Sequence, residues 1–180
     1  LLCTNIIMLG RNSTESYGDK GILHRLYQGV TGLFTDSEEE TEESDVEEFM
    51  TFDRLGEKEL KKAKEFLPGL YVPTYIPEGY ELEQLKIEKY YSGDYLCDYA
   101  YNSEDRIIKI LLYYSIDSEC SNQWPEDGEL IEMSDRKIFV TEDSVSGEPW
   151  VSVYTETCNI DISGISEKDQ LIEIGKRMTK

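Results

Sequence analysis

A single histidine, His24, in 180 residues removes most of the usual acid–base repertoire. Nucleophilic catalysis of the serine–histidine or cysteine–histidine kind needs an imidazole held beside the nucleophile. The one imidazole here stands in an N-terminal arm, between Leu23 and Leu26, while most candidate nucleophiles fall in later strands. It reads more simply as a polar-face residue of a helix. The four cysteines, Cys3, Cys97, Cys120 and Cys158, contain no CxxC pair and keep no metal-ligand spacing with that histidine, so no zinc site is expected. A GxGxxG or Walker A phosphate loop, a GxSxG elbow, an HExxH helix and the DxDxDG alternation of an EF-hand are all missing. The sequence therefore nominates no catalytic residue, no metal and no cofactor.

Basic residues are also scarce. Eighteen Lys and Arg stand against 38 Asp and Glu, a formal charge of −20 at pH 7. Such a surface repels phosphate backbones, and no basic stripe offsets it, so nucleic acid is not an expected partner. Anionic lipid headgroups are repelled by the same sign. Basic partners and cations are allowed, although a solubilising surface is the simplest use of the charge.

No apolar run reaches the roughly 20 residues that span a bilayer. The stretch LLCTNIIMLG at 1–10 is apolar but lacks a basic region before it, so it is not a complete signal peptide. We read it as the trailing end of a transmembrane helix beginning before Leu1, with an ordinary buried segment as the alternative. In residues 20–34, Ile22, Leu26, Val30 and Leu33 share one helical stripe, flanked by Leu23, Tyr27 and Phe34. Gly29 and Gly32 weaken that helix, which then needs a partner surface, either the folded domain or a membrane interface. The near-uniform acidity of 35–48 cannot bury enough surface to fold alone, and 35–55 is expected to be a linker.

The chain is rich in tyrosine, with 13 copies. Tyrosine suits half-buried sheet faces, where its ring packs and its hydroxyl stays wet. A short charged helix is expected over 56–67, ending before Pro68-Gly69. Pro73 and Pro77 then impose extended backbone, and Glu78-Gly79 turns into a strand. Strands are expected near 80–90, 94–102, 106–116, 129–133, 136–142, 150–155 and 157–163. The strand around RIIKILLYY is apolar on both faces and should be central. In CNIDIS, Cys158, Ile160 and Ile162 share one face. Ser166 and Asp169 form a capping box for a terminal helix striped by Leu171, Ile174, Gly175 and Met178.

These elements make an α+β plan: an antiparallel sheet, a C-terminal helix packed on one face and a peripheral N-terminal helical arm. The organisation is then 1–34 stub and helix, 35–55 linker and 56–180 folded domain. Cys97 and Cys158 read as small buried hydrophobes; a disulfide between two of Cys97, Cys120 and Cys158 is the alternative. Carboxylates are too abundant for any pair to be singled out. Of the strand aromatics, Tyr99, Tyr101, Tyr113 and Trp150 are candidate ligand contacts, with cross-strand packing as the favoured competing use.

The segment YIPEGYEL, the hairpin around Tyr101-Asn102, the RIIKILLYY strand and the ending CNIDISGISEKDQLIEIGKRM resemble the domain-of-unknown-function family numbered 4367, over roughly residues 70–179. The arm GILHRLYQGVTGLF is similar to a membrane-proximal amphipathic helix of such proteins, and Tyr154 stands where the family's tryptophan is expected. The resemblance implies the extracytoplasmic part of a single-pass, anti-sigma-like membrane protein of Gram-positive bacteria, with no catalytic residues to carry over. The expected function is non-catalytic sensing or regulation, through a protein or envelope ligand that the sequence does not identify. The rivals are a passive structural envelope domain and a carboxylate-based hydrolase.

Overall fold

The computed structural model describes residues 45–115, 128–143, 146–165 and 167–180. The expected arm over 1–34, the acidic stretch 35–44, His24, Cys3, Cys120, Trp124 and Ser166 lie outside these residues. Ser44–Lys180 forms one unit. Its strands are β1 (Val46–Phe52), β2 (Val72–Pro73), β3 (Glu81–Tyr90), β4 (Tyr95–Asn102), β5 (Ile107–Tyr114), β6 (Glu129–Glu132), β7 (Lys137–Glu142), β8 (Pro149–Tyr154), β9 (Asn159–Ser163) and β10 (Met178–Thr179). Two helices join them, α1 (Glu57–Phe66) and α2 (Lys168–Lys176).

Eight strands make one antiparallel sheet in the order β1-β3-β4-β5-β9-β8-β7-β6, and β10 pairs with β2 separately. The α+β architecture expected from the sequence is thus the one formed. β5 lies between β4 and β9, where its two apolar faces belong. Short turns close the hairpins: the Ser103 N–H donates to the Arg106 carbonyl at 2.8 Å, and the Met133 N–H to the Arg136 carbonyl at 2.9 Å.

Side-chain alternation divides the sheet. Leu85, Ile87, Cys97, Tyr99, Ile108, Ile110, Leu112, Ile138, Val151, Val153, Ile160 and Ile162 point to one face and are buried. Each large aliphatic among them contributes on the order of 1.5–3 kcal/mol by leaving water. Both helices pack on this face. α2 buries Leu171, Ile172, Ile174 and Gly175 against it, and a β-carbon added at Gly175 would meet Val153 Cγ2 at 2.8 Å, so glycine permits the close approach. α1 contributes Ala63, and Phe66 meets the Tyr95 ring edge-on at 6.1 Å between centroids. The segment following α1 is tied down by buried phenols: Tyr99 donates to the Tyr71 carbonyl at 2.9 Å, and Tyr114 accepts the Tyr71 N–H at 2.8 Å.

Two expectations change. The stretch assigned to a linker over 35–55 contains β1, and Phe52 is buried in the core, so the folded unit begins before residue 56. Glu47 and Glu48 are exposed, and Glu48 takes the same side of the strand as Met50 and Phe52, so charge interrupts the apolar alternation at the strand's start. The helix α2 starts behind Glu167, whose side chain makes no cap hydrogen bond; the expected capping box rests on Ser166, which lies outside the described residues. Its first turn is held by the Glu167 carbonyl, which accepts from Gln170 at 3.0 Å and Leu171 at 3.4 Å. Met178, expected on the helical stripe, is buried from β10, after the chain has left the helix to pair with β2.

Candidate functional site

Alternation separates the four aromatic candidates. Tyr99 and Tyr101 project from β4 into the helix-covered face and are core residues, their rings stacked at 6.2 Å and nearly parallel at 10°. Burial pushes both phenols above the ordinary tyrosine range. They are structural, and the ligand role expected for them is withdrawn. Tyr113 and Trp150 occupy odd and even positions of β5 and β8 that project to the opposite face, where both are half-buried. The structure therefore keeps two of the four on one accessible side and buries the others.

The opposite face carries polar groups that the apolar pattern concealed. One row across the sheet runs Lys86, Asp98, Leu111, Asp161, Ser152 and Phe139, from β3, β4, β5, β9, β8 and β7. The adjoining row contains Leu96, Tyr113, Asn159 and Tyr154. Asp161 organises the second half. Ser152 donates to its Oδ1 at 2.5 Å, while Trp150 Nε1 reaches the same oxygen at 3.3 Å and Ser152 Oγ at 3.2 Å. The indole is thereby oriented by a carboxylate, not by apolar packing alone.

Burial raises the Asp161 carboxyl above its ordinary range, against the lowering effect of the Ser152 and Trp150 hydrogen bonds. Burial also raises Asp98, with Lys109 and Lys86 opposing. Asp98 Oδ1, Asn102 Oδ1 and Asn159 Oδ1 are buried on this same face with no hydrogen-bond donor among the described residues. Native proteins leave few buried acceptors unpaired. Of the three, only Asn159 falls in CNIDIS, where the apolar half is the conspicuous one. The polar half, Asn159, Asp161 and Ser163, was the available signal.

The raised carboxyls have a consequence for stability. In the native state both carboxyls hold their protons to a higher pH than the unfolded value of about 3.9. Below that pH both states are protonated and the groups contribute nothing. As pH rises from there to the native values, the unfolded chain releases its protons first, and stability falls. Asp161→Asn keeps an oxygen acceptor for Ser152 and Trp150, so it should flatten this decline and leave the variant at least as stable at neutral pH. Urea melts across the acid range test this. A variant less stable at pH 7 but unchanged at pH 3 would mean that the native state favours the ionised form.

Other chemistry is limited. Asp98 and Asp161 lie two strands apart, about 10 Å between backbones, with Leu111 in the row between them. No group of three His, Cys, Asp or Glu residues able to hold a metal occurs among the described residues. Cys97, on β4, and Cys158, just before β9, are both buried free thiols, and β5 lies between those two strands, so the disulfide alternative does not apply to this pair. Among the described residues no helix is long and apolar enough to cross a membrane. No family model matches the chain, and no curated protein matches it.

Proposed function

We propose that the chain is a non-catalytic extracytoplasmic sensing or regulatory domain of a membrane-anchored bacterial protein, binding a donor-rich ligand or protein segment on the sheet face that bears Tyr113, Trp150 and Asp161. One observation carries the binding reading: the unpaired buried oxygens of Asp98, Asn102 and Asn159, all on that face. The three oxygens are closed to solvent as the chain stands, so a ligand presenting N–H or O–H groups pairs with them by displacing the groups that cover them, and an acceptor left unpaired costs on the order of 1–3 kcal/mol. Half-buried Trp150 and Tyr113 add apolar contact beside them. The location rests on the resemblance to family 4367, on the apolar stretch at 1–10 and on the amphipathic pattern at 20–34.

Two measurements test the proposal. Fractionation of the full gene product should leave it in the membrane pellet; a soluble product removes the anchored reading. Thermal melts with N-acetylglucosamine oligomers, spermidine and soluble peptidoglycan fragments should show a rise in Tm for at least one probe, by mass action. That rise should disappear in Asn159→Leu, which deletes one acceptor. No rise with any probe supports the passive structural domain instead.

A second reading is favoured by one specific observation. Asp98 and Asp161 are two carboxyls held above their ordinary range on one face, as general-acid chemistry requires. Release of 4-nitrophenol from 4-nitrophenyl glycosides, abolished in both Asp98→Asn and Asp161→Asn, would replace binding with hydrolysis. Turnover indifferent to those changes would dismiss it.

A further inference from the structure

Among the described residues β1 and β6 are the end strands of the sheet, and β1 is the longer, seven residues against four. Residues in an edge strand direct alternate N–H and C=O groups outward, a template for another strand. Among the described residues β1 pairs with β3 alone. Natural edges are commonly blunted by charge and bulges. β1 has both, with Glu47, Glu48 and a register shift between Val46 and Glu48. Phe49 is not blunted: it stands in mid-strand and is 68% exposed. Tyr91, 74% exposed, lies at the same margin, where its N–H donates to the Asp45 carbonyl at 3.1 Å. These are the two most exposed large apolar side chains among the described residues.

We infer that β1 accepts an extended cationic segment of a partner protein as a ninth strand of the sheet. This surface is the sheet's edge and not the site around Trp150 and Asp161, although Phe49 projects on the same face, in one row with Glu88, Leu96 and Tyr113. Main-chain hydrogen bonds supply the attachment and side chains supply selectivity. Neighbouring residues of a strand face opposite sides, so Glu48 and Phe49 read alternate positions of the incoming segment: a lysine or arginine beside Glu48, an apolar side chain beside Phe49. The charge disfavours a second copy as the occupant. Antiparallel self-pairing centred on Phe49 places Asp45 opposite Asp53 twice, and it joins two chains that each carry −20. The same charge accelerates the approach of a basic partner.

The test uses the full chain and a fluorescein-labelled peptide of seven residues, alternating lysine and valine, to match the length of β1. Fluorescence anisotropy should show saturable binding, weakened about ten-fold or more by Phe49→Lys and by Glu48→Lys. Both sites are exposed, so melting curves of the variants should match that of the parent. Peptides N-methylated on alternate residues lose their donors on one edge; one of the two isomers should fail to bind. Trp150→Phe should bind the peptide unchanged, which separates failure here from failure of the ligand face. Absence of peptide binding, equal binding by both N-methylated isomers, or indifference to Phe49→Lys overturns the inference. Sedimentation showing a dimer that Phe49→Lys dissolves also overturns it, by making a second copy the occupant.

Discussion

Gly164→Ala is expected to cost at least about 3 kcal/mol and to lower Tm by roughly 10 °C or more, if the variant folds at all. Gly164 follows β9 with φ at 104°, a region where a β-carbon is strained. The steric problem is larger than the torsional one. A β-carbon there would lie 1.9 Å from the Ile107 carbonyl oxygen, 2.9 Å from its carbon and 3.2 Å from Ile108 Cα. All three are backbone atoms of the neighbouring strand, and the contact cannot be relieved by a rotamer change. The β5–β9 pairing itself would have to part. Gly79 provides the control. Its φ is 89°, yet an added β-carbon meets nothing within 4 Å. Gly79→Ala should therefore carry only the torsional penalty, on the order of 1 kcal/mol. Urea midpoints of the two variants measure the difference, and equal losses would show that φ alone sets both effects.

Arg136→Ala is expected to cost about 2–4 kcal/mol and to loosen the C-terminal residues before the rest of the domain. Arg136 lies in the β6–β7 turn, but its side chain is only 8% exposed. Its Nη1 donates to the Gly175 carbonyl at 3.2 Å and the Met178 carbonyl at 2.7 Å, and its guanidinium stands 6.0 Å from the Tyr71 ring centre. Helix ends leave carbonyls without intrahelical partners, and a cation there is favoured by the helix dipole. Asp135 fixes the other side of the guanidinium, with Nη2 to Oδ2 at 2.6 Å. Truncation thus removes two carbonyl contacts and strands nearby polar groups. Arg136→Lys restores the charge without the planar fork and should recover only part of the loss. Hydrogen exchange of residues 176–180 should accelerate more than exchange in β5. Uniform acceleration throughout the sheet would mean that Arg136 supports global stability only.

The sheet was legible because its strands alternate. The expected strands over 80–90, 94–102 and 106–116 match β3, β4 and β5 within two residues at each end, and the later four also form. Alternation did not declare which tyrosines pack: Tyr99 and Tyr113 lie on neighbouring strands, but register sends them to opposite faces. Register is a long-range quantity, set here by pairings such as Leu112 with Ile160, so sequence spacing could not supply it. β1 was hidden for another reason. A strand needs one buried side, and Met50 and Phe52 find theirs only against Ile87 and Leu85, more than thirty residues away. The polar face was half legible, since the Asn159–Asp161–Ser163 alternation is local. Its link to Trp150 through Ser152 required β8 beside β9.

The strand order also bears on how the chain reaches this structure. β3, β4 and β5 follow one another as hairpins, and so do β6, β7, β8 and β9, each set joined by neighbours in sequence. The two sets meet along β5 and β9, whose paired residues are separated by 46 to 54 positions. Local hairpins close in microseconds, whereas a distant pairing must first bear the entropy of a large loop. The loop lengths thus favour late docking of two early ribbons along one seam, and Gly164 lies where that seam ends.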